Sequence, residues 1–177
     1  AFAAQRFDVQ PDIITAAKGL TNGCVPMGVV LVSDDVHNAF AQGPDNAIDL
    51  FHGYTYSGHP LACAAAIATL DTYAEENLFD KAIELGDYWQ EGIHSLKGLP
   101  NVVDIRNYGL IGAIEFAPRP GAPGTRGYDA FNRAFNQGNL LTRVTGDTIA
   151  LSPPLIVEKS HIDRIFETLA DTLRATA

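Results

Sequence analysis

Cysteine is scarce in this sequence of 177 residues: Cys24 and Cys63 are the only two, and they form no CxxC. That excludes a disulfide framework, and two reduced thiols in a cytosolic (cytoplasmic) protein are expected. Positive charge is also scarce. Twelve Lys and Arg stand against 21 Asp and Glu, for a formal net charge of −9. No broadly basic face is available, so no nucleic acid and no anionic membrane is expected as the main partner. A local basic pocket for a small anion stays compatible with this balance. Long apolar runs are missing: Leu61 to Leu70 is the longest, about half of the ~20 residues that span a bilayer. The stretch is a candidate for a buried helix. Ala1 to Asp8 lacks the charged-then-apolar order of a signal peptide, and without an initiating Met the true N-terminus is expected upstream. Internal repeats and low-complexity tracts are absent. So are HExxH, GxGxxG, a Walker loop and a serine-hydrolase elbow, and the five histidines offer no metal spacing, so no metal is expected.

What is present is a globular composition, 46% hydrophobic and 19% charged, able to bury a core. Pro11 to Thr15 reads as a short buried strand and Met27 to Ser33 as a second. Such apolar runs suit a parallel sheet covered on both faces. Between them, Ala16 to Pro26 carries glycines, an asparagine and a proline, a loop built for unusual backbone angles. Ser33 or Asp34 is placed to cap a short helix reaching Ala41. Residues 42 to 58 form a long irregular stretch, a length more often functional than not. His59-Pro60 opens a helix, proline being tolerated in its first turn. That helix is apolar all round and is expected in the interior or at a subunit interface.

A second helix is expected from Leu78 to Leu96, stopped by Lys97-Gly98. After Pro100 the pattern changes. Asn101 to Arg106 and Leu110 to Phe116 read as strands, Ala117 to Gly127 as a Pro- and Gly-rich loop, and Tyr128 to Gln137 as a short helix. Leu140 to Val144 and Thr148 to Leu151 make a hairpin around Thr145-Gly146-Asp147. Ser160 is expected to cap a final helix. Residues 78–177 thus read as a small α+β domain. Residues 1–77 read as part of an α/β unit that is incomplete as given, because two strands cannot stabilise a parallel sheet alone.

Of the four lysines, Lys81, Lys97 and Lys159 have charged neighbours or sit at helix ends. Lys18 lies among Thr15, Ala16, Ala17, Gly19, Leu20 and Thr21, with no charge closer than Asp12. A lysine so placed at a strand end can be desolvated, which lowers its pKa and frees the amine as a nucleophile; the alternative is a loop lysine that snorkels to water. The Gly-rich stretch around Thr55 and Ser57 precedes a helix start and can bind an anion, or be an ordinary loop. Arg143 ends a predicted strand, where an arginine can pair bidentately with a carboxylate or stand in solvent.

Together these segments resemble a known family. Pro11-Asp12-Ile13-Ile14-Thr15-Ala16-Ala17-Lys18-Gly19-Leu20-Thr21-Asn22-Gly23 with Val25-Pro26-Met27-Gly28-Val29-Val30 is similar to the lysine region of class III aminotransferases, fold-type I enzymes dependent on pyridoxal 5'-phosphate (PLP). Phe51 to Cys63 resembles the second signature of that family. Val103 to Glu115, and Arg143 with Gly146-Asp147 and Pro153-Pro154-Leu155, are similar to its ω-amino acid:pyruvate (β-alanine:pyruvate) branch. The resemblance runs through nearly the whole chain in one continuous order. It implies an α/β fold, with residues 1–77 the C-terminal part of the large parallel-sheet, PLP-binding domain and 78–177 the small C-terminal α+β domain. It implies that Lys18 is the catalytic lysine holding PLP, that Thr55 binds the cofactor phosphate across a dimer interface with Tyr54 beside it, and that Arg143 pairs with the substrate carboxylate. It implies transamination between an ω-amino acid or amine, such as β-alanine, and pyruvate, with ping-pong kinetics in a homodimer or higher oligomer. Family members are far longer, so the chain is expected to be a fragment whose missing strands and further cofactor contacts come from residues outside it. The other readings are a different class III enzyme, such as another ω-transaminase or an aminomutase, and a catalytically silent fragment.

Overall fold

The computed structural model describes residues 2–176. They divide after Asn77 into two compact units. The first begins with α1 (Ala3–Arg6) and continues through β1 (Ile13–Ala17), a 3₁₀ turn at Gly19–Thr21, β2 (Gly28–Val32), α2 (Asp34–Phe40) and α3 (Pro60–Glu75). Ser33 caps α2, its Oγ accepting from the Val36 N–H at 3.4 Å, while Asp34 and Asp35 favour the positive end of the helix dipole. Residues 42–58 form no helix or strand, and α3 starts at Pro60 with His59 at its cap.

The sequence suggests parallel neighbours for the two apolar strands. The structure corrects this: β1 and β2 pair antiparallel, Ile13 opposite Val32 and Ala17 opposite Gly28. Their connection, residues 18–27, holds only one 3₁₀ turn, whereas parallel partners need a crossover of a dozen or more residues, usually through a helix. Coverage on both faces is not found either, since Ile13, Val30, Leu31 and Val32 are exposed. In α3 only Ala62 and Ala66 are buried, and Leu61, Ile67 and Leu70 face outward. The interior setting expected for this helix is therefore not supplied by this chain. The helix ends where Asn77 turns left-handed, at φ 51°, a conformation that asparagine tolerates better than most residues.

The second unit runs α4 (Leu78–Glu84), α5 (Gly86–His94), β3 (Val102–Tyr108), β4 (Ile111–Phe116), α6 (Thr125–Gly138), β5 (Arg143–Thr145), β6 (Thr148–Leu151) and α7 (Lys159–Ala175). The single helix expected over 78–96 is broken at Leu85, just before Gly86, where glycine weakens helix continuity. Helix α6 begins at Thr125 rather than Tyr128, entered through Gly124 at φ 84°. Helix α7 is capped by Glu158, not Ser160: the Glu158 N–H donates to His161 Nδ1 at 3.2 Å.

The sheet order is β3-β4-β6-β5, antiparallel throughout. Alternation on β4 turns Gly112, Ile114 and Phe116 inward. On β3 a register shift between Val102 and Asp104 lets Val102 and Ile105 both pack on the core, although an odd spacing would otherwise put them on opposite faces. Trp89, Ile93, Ile114, Phe116, Ile149, Ile162, Phe166 and Leu169 fill the interior. The Trp89 and Phe166 rings meet edge to face at 4.9 Å between centroids, a favoured aromatic geometry.

Candidate functional site

Lys18 sits where β1 ends and the 3₁₀ turn begins. Its backbone has φ 59° and ψ −81°, the rare and strained hand of the γ-turn. For a residue with a Cβ such a conformation costs about 1–3 kcal/mol and persists only where its surroundings enforce it. The enforcing contacts are visible. The Lys18 carbonyl accepts from the Thr21 N–H at 3.3 Å and the Gly23 N–H at 3.1 Å. Thr21, almost fully buried, donates its Oγ1 hydrogen to the Val25 carbonyl at 2.6 Å. Asn22 closes the turn in the left-handed region. From α3, the Tyr73 hydroxyl donates to the Gly19 carbonyl at 2.7 Å. Sequence reasoning did not select Tyr73. The partner lies 54 residues away, and a helix apolar all round offers no spacing that shows which way this position faces.

Of the two settings the sequence left open for Lys18, this chain by itself shows the solvent-facing one: the residue is exposed. Strand alternation predicts burial only where a second layer covers the sheet, and β1 and β2 have no such layer here.

Tyr54 and Thr55 lie in the irregular segment before α3, and both are exposed. The Ser57 N–H donates to the Tyr54 carbonyl at 3.0 Å and the His59 N–H to the Tyr56 carbonyl at 3.2 Å, so two successive turns lead into the helix. The His52 ring meets Tyr54 edge-on at 4.0 Å. Lys18, Tyr54 and Thr55 thus belong to the first unit, on segments that α3 follows or contacts.

Arg143 belongs to the second unit. It opens the edge strand β5, opposite Ala150 of β6, and is exposed. Among the described residues it has no ion-pair partner, whereas Arg106 holds Asp104 and Glu115, Arg119 holds Asp129, and Arg174 holds Asp171. The hairpin bearing it is fixed from below. Asp147, in the β5–β6 turn, accepts from the Gly124 N–H at 2.6 Å and the Gly127 N–H at 3.0 Å, and so caps α6 from outside. Burial pushes the Asp147 carboxyl up, but the Gly124, Gly127 and Arg126 N–H groups and the Arg126 guanidinium outweigh it. The group is held below the ordinary carboxylate value of 3.8. Neither Asp147 nor Gly127 was read from the sequence as a support for Arg143.

A cavity of about 370 Å³ between α5 and α7, edged by Tyr88, Glu91 and Asp163, contains none of these residues. Among the described residues no group of three His, Cys, Asp or Glu converges as a metal site, and no helix is long and apolar enough to cross a membrane.

Comparison with known proteins gives a consistent result. The family described as Aminotransferase class-III matches residues 1–173. The chain is 57% identical to an omega-aminotransferase of Caulobacter vibrioides, over 97% of this chain and 39% of that protein. It is 42% identical to a beta-alanine–pyruvate aminotransferase of Pseudomonas aeruginosa, over 98% of this chain and 39% of that protein. Among solved structures, an (S)-enantioselective omega-transaminase from Thermomicrobium roseum superposes with a TM-score of 0.87 at 33% identity, over 98% of this chain and 39% of that one. The chain therefore spans about two-fifths of the length of the curated relatives it matches.

Proposed function

Because the chain belongs to the class III aminotransferase family, we propose that it is the lysine-bearing part of an ω-aminotransferase that moves an amino group from an ω-amino acid or amine, such as β-alanine, to pyruvate. The observation that carries the reading is Lys18: an exposed primary amine on a strained turn held by hydrogen bonds within its own loop and by one from the Tyr73 hydroxyl of α3. Strain maintained at one residue by its surroundings is characteristic of functional positions. The substrate class is supported by the relatives whose names specify omega-amino donors or β-alanine with pyruvate.

Class III aminotransferases work with PLP, and the donor set here fits that group: an accessible amine for its aldehyde, and the exposed Thr55 hydroxyl near the start of α3 for its phosphate. PLP when bound supplies a ring that takes up the electron pair left by a breaking C–H bond. The chain's own residues do the rest. Lys18 Nζ would hold PLP, and once free it would be placed to take and hold the proton of the donor's amine-bearing carbon. Thr55 would donate its hydroxyl hydrogen to the phosphate of a neighbouring subunit's site, with Tyr54 beside it. Arg143, having no carboxylate of its own, pairs bidentately with that of the substrate. The two half-reactions share one site, so the kinetics are ping-pong. In this reading residues 1–77 belong to the large domain and 78–177 are the small domain of a homodimer. The free Cys24 and Cys63 suit a reducing, cytoplasmic setting.

The test is a peptide mass map of the protein, purified in its natural full length, after borohydride reduction in the presence of PLP. A pyridoxyl adduct on the Lys18 peptide is expected. An adduct on another lysine, or none, overturns the assignment. Donor choice is read separately. Turnover of β-alanine with pyruvate supports the substrate proposed, and activity confined to arylalkyl amines replaces it with another ω-transaminase.

A further inference from the structure

The backbone at Lys18 poses a physical question. A lysine at φ 59° and ψ −81° persists only where its surroundings over-determine it. Three of the restraints are local: Thr21 and Gly23 donating to Lys18, and Thr21 Oγ1 donating to Val25. Contacts this close in sequence shape the turn itself but do not fix where it stands relative to other elements. The Tyr73 hydroxyl is different. It reaches from the last turns of α3, a helix of 16 residues, and donates to the carbonyl of Gly19, the residue next to the lysine, at 2.7 Å.

We propose that Tyr73 is a positioning residue for the Lys18 amine: its hydroxyl, donating to the Gly19 carbonyl, ties the strained lysine turn to α3 and thereby sets where Nζ stands. The same helix follows directly from the segment carrying Thr55. One helix therefore references both the amine of this chain's own site and the hydroxyl that serves the neighbouring subunit's site. The inference rests on Lys18 being the lysine that PLP modifies.

The experiment uses Tyr73→Phe, which removes the hydroxyl and keeps the ring, in the natural full-length protein. Hydrogen exchange is measured with and without PLP, together with the PLP concentration that half-labels the Lys18 peptide under borohydride. Loss of one hydrogen bond of ordinary strength corresponds to roughly 2- to 13-fold. Half-labelling is therefore expected at a several-fold higher PLP concentration. Exchange should rise at the Thr21, Asn22 and Gly23 amides while the β4 and β6 amides are unchanged. In turnover kcat should fall by a similar factor with the donor KM unchanged, as expected for a misplaced reacting group. Labelling and local exchange equal to wild type overturn the proposal. A uniform rise in exchange over β1, β2 and α3 also overturns it, since that marks a merely structural tyrosine. Failure of the wild type to label at Lys18 is a different result, and it strikes the functional reading itself.

Discussion

Lys18 and Asp147 show how much of a site rests on single residues with contrary demands. The sequence singled out Lys18 as an isolated cation among small residues, but that pattern left a solvent-facing loop lysine open, its role came only from the family resemblance, and nothing indicated its positive φ or the carbonyl contacts that stabilise it. Lys18→Ala is expected to reduce turnover by roughly 10²–10⁴-fold or more, the range for loss of a positioned acid–base group. The fold should survive, judged by an unchanged far-UV spectrum and melting temperature, because the lost side chain is exposed. Asp147 carries a pH dependence. Its carboxyl is lowered in the folded state. Its contribution is therefore present above 3.8, the ordinary value, and is lost as the pH falls through the lower folded value. Asp147→Asn should reduce stability at neutral pH and flatten the acid limb of the stability curve. Denaturant titration between pH 2 and pH 7 reads both effects, and a parallel downward shift at every pH contradicts them.

At the level of elements, the junction between α6 and the β5–β6 hairpin decides where Arg143 stands. Gly127 lies on the buried side of α6. A Cβ there would collide with the Gly146 carbonyl oxygen and come within 2.9 Å of Asp147 Cα. Both obstacles are backbone and cannot rotate away. Gly127→Ala improves intrinsic helix propensity, yet overpacking should dominate and destabilise the second unit by about 1–3 kcal/mol. The expected readout is a lower urea midpoint at unchanged m. A gain in stability would mean that the hairpin shifts freely, and Arg143 would then lack a fixed position. The approximate places of the strands, the start of α3 at Pro60 and the Gly146 turn were legible in the sequence. The break at Leu85 and the Glu158 cap were not. The apolar spacing runs straight across residue 85, and a glutamate two residues before the obvious serine looks like an ordinary charge.

For the molecule as a whole, burial is distributed unevenly. The packed core lies in the second unit, around Trp89, Ile114, Ile149 and Phe166, while among the described residues of the first unit only Ala62 and Ala66 are buried apolar residues, and Ile13, Val30 and Leu31 are exposed. Two strands and an alanine-rich helix do not remove enough apolar area from water for independent stability. When the 177-residue chain is studied alone, β4 and β6 amides are expected to exchange slowly and β1 and β2 amides quickly. Equal protection across both sheets would show that the first unit stands unaided. Trp89→Ala should cost the second unit about 3–5 kcal/mol, through lost burial and the cavity left against Phe166 and Ile93; chemical denaturation measures it. By itself the sequence determined the order of the strands along the chain, the two-part division of the pattern and the residue types that chemistry needs. Those depend on local periodicity, turn chemistry and composition, which are written along the chain. Only the tertiary structure decided the antiparallel pairing of β1 with β2, the strain at Lys18, the reach of Tyr73 to Gly19 and the support of Arg143 by Asp147. Each of these depends on which distant backbone groups meet. Pairings between residues far apart are chosen by the balance of burial, hydrogen bonding and chain entropy over the whole fold.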